Sequence, residues 1–311
     1  MRSFRIVAGS ALAAGLALTL AGCGKPRGDE VRITASFSSL STPYFITMKQ
    51  AAESQAGPAR VSLSVLDGQS NSTKQGADLE TASVDGTQGV ILAANDGKAL
   101  APEVDRLRAA GIPVVAVDRR IDGTTSPVPY VGADNVAGGR LLAQWVIAHF
   151  PHGANVVVIT NEPGTSTQID RSRGVREGLA AGGARYRIVA EQTANSSRDQ
   201  ALTVVQNLLT SFGSTHRPDA ILCLNDNMAL GAISALKEAS VPVGAVQVLG
   251  FDAIPEALDN IRAGKLAATV DQDAAAQIKA ALSTIVTAVK GGKAQSIAIA
   301  PHLVTAESLK H

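Results

Sequence analysis

The 311-residue chain is 45% hydrophobic and 18% charged, with 28 Lys and Arg against 27 Asp and Glu. That composition is too apolar for a disordered chain, and a formal charge of +1 leaves no basic field for nucleic acid. At roughly 150 residues per domain the length predicts about two domains, and with aromatic residues at only 3% any surface built from rings draws on very few side chains.

Arg2 and Arg5 precede an apolar run from Ile6 to Leu20. A basic start and an apolar run too short for a mature membrane span have the layout of a secretory signal peptide. The run ends in Leu20-Ala21-Gly22-Cys23, which resembles the lipobox of bacterial lipoproteins. On that resemblance residues 1–22 are a signal peptide, Cys23 is lipidated, and residues 23–30 are a tether. The expected location is the periplasm, with the chain anchored to the membrane through the Cys23 lipid. Cys223 lies in the apolar run Ala220 to Leu224 and reads as a small buried hydrophobe.

From Val31 onward, short β-rich runs alternate with helical patterns. Strands are predicted at 31–37, 61–66, 89–93, 113–117, 155–159, 187–190, 219–224, 246–250 and 266–270. Between them, Leu141, Leu142, Trp145, Val146 and Phe150 form one apolar stripe at helical spacing, and Ile278, Leu282, Ile285 and Val289 form another. Trp145 on such a stripe belongs to a core. Pro43, Ser72, Ser197 and Pro255 are helix-start residues, and Gly111, Gly182 and Gly264 stand where helices stop. Strand–helix alternation of this length predicts an α/β protein of two doubly wound parallel sheets.

The apolar strands end in polar residues: Asp67, Asn95, Asp118-Arg119-Arg120, Asn225-Asp226, Asp252 and Gln272. Ligands of open α/β sheets bind outside the carboxyl ends of strands. Carboxylates accept from hydroxyls, guanidiniums donate and amides do both, so this row suits a small ligand rich in hydroxyls. Each residue alone also serves as a cap for the next helix.

Thr42-Pro43-Tyr44-Phe45, Asp118-Arg119, Asp134-Asn135, Gly164-Thr165-Ser166, Arg171 to Gly174, Asn225 to Gly231, Gly250-Phe251-Asp252 and Ala268 to Gln272 occur in that order. Together they resemble the ribose-type periplasmic sugar-binding proteins, over residues 31 to 304. The resemblance implies two Rossmann-like parallel-sheet lobes joined by a three-crossing hinge near Asp134, Gln272 and Pro301. Residues 31–133 with 273–301 would form the N-terminal lobe, and 134–272 with 302–311 the C-terminal lobe. It assigns ligand contact to Tyr44, Phe45, Asp118, Arg119, Arg171, Asn225, Asp252 and Gln272. Phe45 and Tyr44 would lie on a ring's C–H face, Asp118 and Asp252 would accept from hydroxyls, and Arg119 and Arg171 would donate. Asn225 and Gln272 would each both donate and accept, Gln272 at a hinge crossing. The alternative for Asp118–Arg119 is an interlobe salt bridge. Two positions depart from the family: Thr42 replaces an Asn, and Ser196 stands where a second-lobe aromatic would stack.

The implied function is that of the solute-binding lipoprotein of an ABC-type sugar importer, presenting a monosaccharide or related polyol to a permease. No cofactor, metal or nucleic acid is expected. A receptor feeding a sensor or chemoreceptor is the alternative partner reading. Enzyme motifs are lacking, and His149, His152, His216, His302 and His311 read as surface or terminal residues. Paired Asp118 and Asp252 are the only feature that would suit glycoside chemistry.

Overall fold

The computed structural model describes residues 30–310. The expected signal peptide and Cys23 lipidation lie outside the described residues, as does the tether apart from Glu30. The first sheet contains β1 (Val31–Phe37), β2 (Val61–Asp67), β3 (Gly89–Leu92), β4 (Val114–Val117), β5 (Tyr130–Ala133) and β11 (Ile297–Ile299), in the order β11-β5-β4-β3-β1-β2. All its ladders are parallel. The second contains β6 (Ala154–Thr160), β7 (Tyr186–Thr193), β8 (Ala220–Cys223), β9 (Gln247–Phe251), β10 (Ala268–Asp271) and β12 (His302–Thr305), in the order β12-β10-β9-β8-β6-β7. Only its β10–β12 ladder is antiparallel.

Helices α1 (Pro43–Ala56), α2 (Ser72–Val84), α3 (Ala101–Ala109), α4 (Asn135–His149), α5 (Ser166–Ala181), α6 (Arg198–Phe212), α7 (Asp226–Glu238), α8 (Pro255–Arg262) and α9 (Ala274–Val289) cover the sheets. Pleating divides the strand residues between faces. Val90 and Leu92 of β3 join Leu79 of α2 and Leu107 of α3, whereas Ile91 joins the larger cluster that holds Met48, Ile278 and Ile285. Because both faces are covered, the strands are apolar almost throughout, as parallel strands require.

The nine predicted strands all form, with ends shifted by up to three residues. Three strands were not anticipated. β5 follows Ser126-Pro127-Val128-Pro129, β11 has three residues, and β12 comes directly after Pro301. Short strands next to prolines carry almost no periodic signal. The helix starts hold: Pro43 and Pro255 occupy the first turns of α1 and α8, and Ser197 caps α6 by accepting from Gln200 N. Trp145 and Cys223 are buried. His149 is exposed, as its sequence context predicts, and its ring stacks on Trp145 with 3.7 Å between centroids.

The chain leaves the first sheet after β5, returns to it after β10 through α9 and β11, and enters the second again at β12. After the first passage, α4 packs backbone to backbone on α5. A Cβ at Gly139 would lie 2.2 Å from Arg171 O, and one at Gly174 would lie 2.1 Å from Val136 O. Gly174→Ala should therefore force the two helices apart and destabilise the protein by about 1–3 kcal/mol. Thermal unfolding followed by circular dichroism checks this, and an unchanged midpoint would show that the close approach is dispensable.

Candidate functional site

The carboxyl ends of the strands of both sheets face one cleft. Ser38, Ser39 and Thr42 follow β1, Asp118 and Arg119 follow β4, Asn161 and Glu162 follow β6, Asn225 follows β8, Asp252 follows β9, and Gln272 follows β10. All ten sequence-derived contact residues line it: Thr42, Tyr44, Phe45, Asp118, Arg119, Arg171, Ser196, Asn225, Asp252 and Gln272. Asp67 does not reach it. Its carboxylate accepts from Leu40 N and Gln69 N, both at 2.9 Å, and so fixes the turn after β2.

The backbone is bent to aim these groups. Asp118 has φ of 62°, Ser196 55° and Asp252 115°, all on the left-handed side that costs a non-glycine residue about 1–3 kcal/mol. At these three positions the strained backbone sets the direction in which the side chain enters the cleft.

Arg171 is nearly enclosed. Its guanidinium lies 3.7 Å from the Phe251 ring centroid and donates to Asn135 Oδ1 (2.7 Å), Leu224 O (2.7 Å) and Gln272 Oε1 (3.3 Å). Nη1 also lies 3.6 Å from Asp252 Oδ1. Most of the donors of Arg171 thus serve the protein, although the residue lines the cleft. Gln272 is engaged likewise: Nε2 donates to Asp252 Oδ1 at 2.7 Å while Oε1 accepts from Arg171 and Gln277. Asn225 Oδ1 is engaged as the cap of α7, accepting from Met228 N at 2.9 Å, which leaves its amide nitrogen for a ligand.

Arg119 is the freer cation. Nη1 donates to Asn95 O at 3.1 Å, and Nη2 lies 3.5 Å from Glu162. Its Nε is buried without a hydrogen-bond partner, as is Asn161 Oδ1. Buried polar atoms are as a rule hydrogen-bonded, so these two cleft atoms have capacity for a further polar partner. Asp118 and Arg119 both follow β4 and form an ion pair of 3.8 Å on one side of the cleft; the ion pair that crosses the cleft is that of Arg119 with Glu162, at 3.5 Å. The next residue closes the gap further: Arg120 N donates to Ser166 Oγ at 2.9 Å, and its guanidinium pairs with Asp170.

Phe45 packs at 6.1 Å from Phe37 and 5.8 Å from Tyr44, and Arg119 lies over its ring. Tyr44 Oη accepts from Gln277 Nε2 at 3.0 Å, so its hydroxyl group is polar machinery as well as ring surface. Opposite, Ser196 Oγ donates to Glu162 Oε2 at 2.8 Å and accepts from Asn161 Nδ2 at 2.9 Å. Asn161 and Glu162 were missed in the sequence, although the strand-end rule applied to β6 would have found them.

Burial raises the carboxyls of Asp118 and Asp252 above the ordinary range. Arg119 and Arg171 pull Asp118 back; Arg171 pulls Asp252 back, while Asp226 and Asp118 push it further up. Burial also raises the Tyr44 phenol, with both carboxylates adding to it. A carboxyl with a raised folded-state pKa holds its proton better in the native protein. Its contribution is present at acid pH and lost as pH rises through the folded value. Ligand-free protein should therefore melt at higher temperature near pH 5 than near pH 7.5, and Asp252→Asn should flatten that slope; a melting point rising over the interval contradicts this assignment.

Two sheets linked by three passages of the chain, with a polar cleft between their strand ends, define a two-lobed solute-binding fold. Residues 33–293 match the periplasmic binding protein domain, and the chain belongs to that family. The ribose import binding protein RbsB of Salmonella typhimurium is 33% identical over 240 residues, 77% of this chain and 78% of its own. The myo-inositol binding protein of Caulobacter, solved with myo-inositol bound, is 50% identical, covers 92% of this chain and 97% of its own, and superposes with a TM-score of 0.87. An ABC transporter solute binding protein from Bacillus halodurans C-125, also solved with myo-inositol, is 28% identical over 91% of this chain and 98% of its own, with a TM-score of 0.83. The expected two-lobed type I binding-protein fold is borne out.

Proposed function

We propose that this chain is the solute receptor of an importer for a cyclic polyol of the myo-inositol kind. The observation that carries this reading is the 50% identity, across 92% of the chain, to a protein solved with myo-inositol. The cleft chemistry agrees with it. Myo-inositol carries one hydroxyl on every ring carbon, so it presents a polar rim all round and a C–H face above and below. Phe45 supplies one apolar surface, while Ser196, Glu162 and Asn161 make the facing wall hydrophilic where a second ring would have favoured a stacked sugar. Asp118 and Asp252 accept hydroxyl protons, and Arg119 Nε, Asn225 Nδ2 and the Thr42 hydroxyl donate.

On this reading residues 31–133 with 273–301 form one lobe and residues 134–272 with 302–310 the other. Ligand that contacts both favours the closed form by its differential affinity for that form. The closed receptor is then read by a permease, and the ligand is released chemically unchanged. The signal peptide directs export and is then removed, and the lipid on Cys23 keeps the receptor at the membrane.

Thermal shift and calorimetry with myo-inositol, ribose, allose and xylitol test the ligand class. At a hundredfold excess over Kd the true ligand stabilises by about 2.7 kcal/mol, a rise on the order of 5 °C. A flat response to all four sinks the reading. Asp252→Ala should weaken binding of the best ligand at least tenfold, and an unchanged Kd would remove Asp252 from the site. Cys23→Ala should shift the protein from the membrane fraction to the soluble envelope fraction; continued sedimentation with membranes argues against the lipid anchor.

A further inference from the structure

Asp226 follows the capping Asn225 and begins α7, yet it does not line the cleft. It is 0% exposed, and so is Thr269 of β10. Its two oxygens reach two other elements. Oδ1 accepts from the Thr269 hydroxyl at 2.7 Å, and Oδ2 accepts from Ile254 N at 2.9 Å. Thr269 Oγ1 in turn accepts from Ala253 N at 3.3 Å. These bonds converge on the turn just after β9, where Asp252 has φ of 115° and Ala253 φ of 53°. Two consecutive non-glycine residues on the left-handed side do not hold that shape unaided.

The fit leaves no room for adjustment. A Cβ at Gly250 would come 2.0 Å from Asp226 Oδ1, so the strand has a glycine where the carboxylate crosses it. A first-turn carboxylate that served only the helix dipole would gain as much at the surface, where it keeps its water. Burial raises the Asp226 carboxyl, and the Thr269 hydroxyl and the Ile254 and Ala253 amides oppose that rise.

We infer that Asp226, acting with Thr269, is a positioning residue that sets the left-handed Asp252–Ala253 turn and thereby aims the Asp252 carboxylate at the ligand. The inference rests on the ligand reading above, with Asp252 as a contact residue. Asp226→Asn keeps the volume and exchanges an acceptor oxygen for a donor facing Ile254 N–H or the Thr269 hydroxyl. Replacing Asp226 weakens binding only through Asp252.

The test is a double-mutant cycle on the full chain, read as Kd for myo-inositol by calorimetry in wild type, Asp226→Asn, Asp252→Asn and the double variant. Each single change should weaken binding about tenfold or more. The double variant should bind no more weakly than Asp252→Asn alone. Additive losses, or a wild-type Kd in Asp226→Asn, would overturn the inference. Should Asp226→Asn fail to fold, Thr269→Val should weaken binding while Thr269→Ser, which keeps the hydroxyl, stays within about twofold of wild type; equal effects would overturn it as well. Hydrogen exchange over residues 250–256 in ligand-free protein gives a readout independent of ligand. Thr269→Val should speed exchange of the Ala253 and Ile254 amides, and unchanged exchange overturns the clamp. Absence of any polyol binding by wild type would instead defeat the ligand reading, while the exchange measurement still decides whether the clamp exists.

Discussion

Arg171 is a cation with 4% of its side chain exposed, and taking such a charge out of water costs several kcal/mol unless other groups replace the water. Its replacements are drawn from each part that must be aligned for the cleft to exist. Asn135 stands at the chain's first passage between sheets and Gln272 at the second, Leu224 O ends β8, and Asp252 follows β9. Phe251 offers its face to the flat side of the guanidinium, a contact suited to a delocalised cation. The guanidinium is therefore a joint between the linker segments and the site. The exposed ion pairs Arg262–Asp259 and Lys49–Glu53 have no such reach and contribute little.

With Arg171 committed to the scaffold, the acceptors of the cleft are left under-neutralised. Asp118 and Asp252 are buried carboxylates whose ionised forms lack full compensation, and Arg119 retains a donor without a partner. Such groups are satisfied by a neutral molecule carrying many hydroxyls, because each hydroxyl both donates and accepts. An apolar ligand of equal size would leave these groups stranded, and the penalty for each stranded group exceeds the gain from a bond well made. Discrimination against the wrong ligand thus comes from the protein's own unmet hydrogen bonds.

Much of this is legible in the amino-acid sequence. Strand–helix alternation gave the nine main strands, and the polar residues at their ends gave the cleft, because in a parallel sheet every strand terminus of one polarity falls on one side. The sequence does not reveal how a polar residue divides its bonds. Gln272, Asn225 and Arg171 all line the cleft, but only the structure exposes that protein partners already hold most of their polar atoms. The end of β6 does carry the polar pair Asn161-Glu162, but the importance of Glu162 arises from Ser196 and Arg119, distant in sequence and brought together by packing. The short strands β5, β11 and β12 were invisible for a related reason: pairing at a sheet edge with strands distant in sequence or across a proline-rich turn, rather than their own periodicity, holds them in place.

The contact between Arg120 and the start of α5, through Ser166 and Asp170, spans the two lobes outside the cleft. Its consequence is kinetic. A ligand enclosed behind that contact leaves only when the lobes part, so its residence time follows the rate of opening rather than the strength of its own hydrogen bonds. Changes at this rim would lengthen or shorten occupancy with little influence on which molecule is chosen, leaving turnover of the receptor and recognition of its cargo free to vary separately.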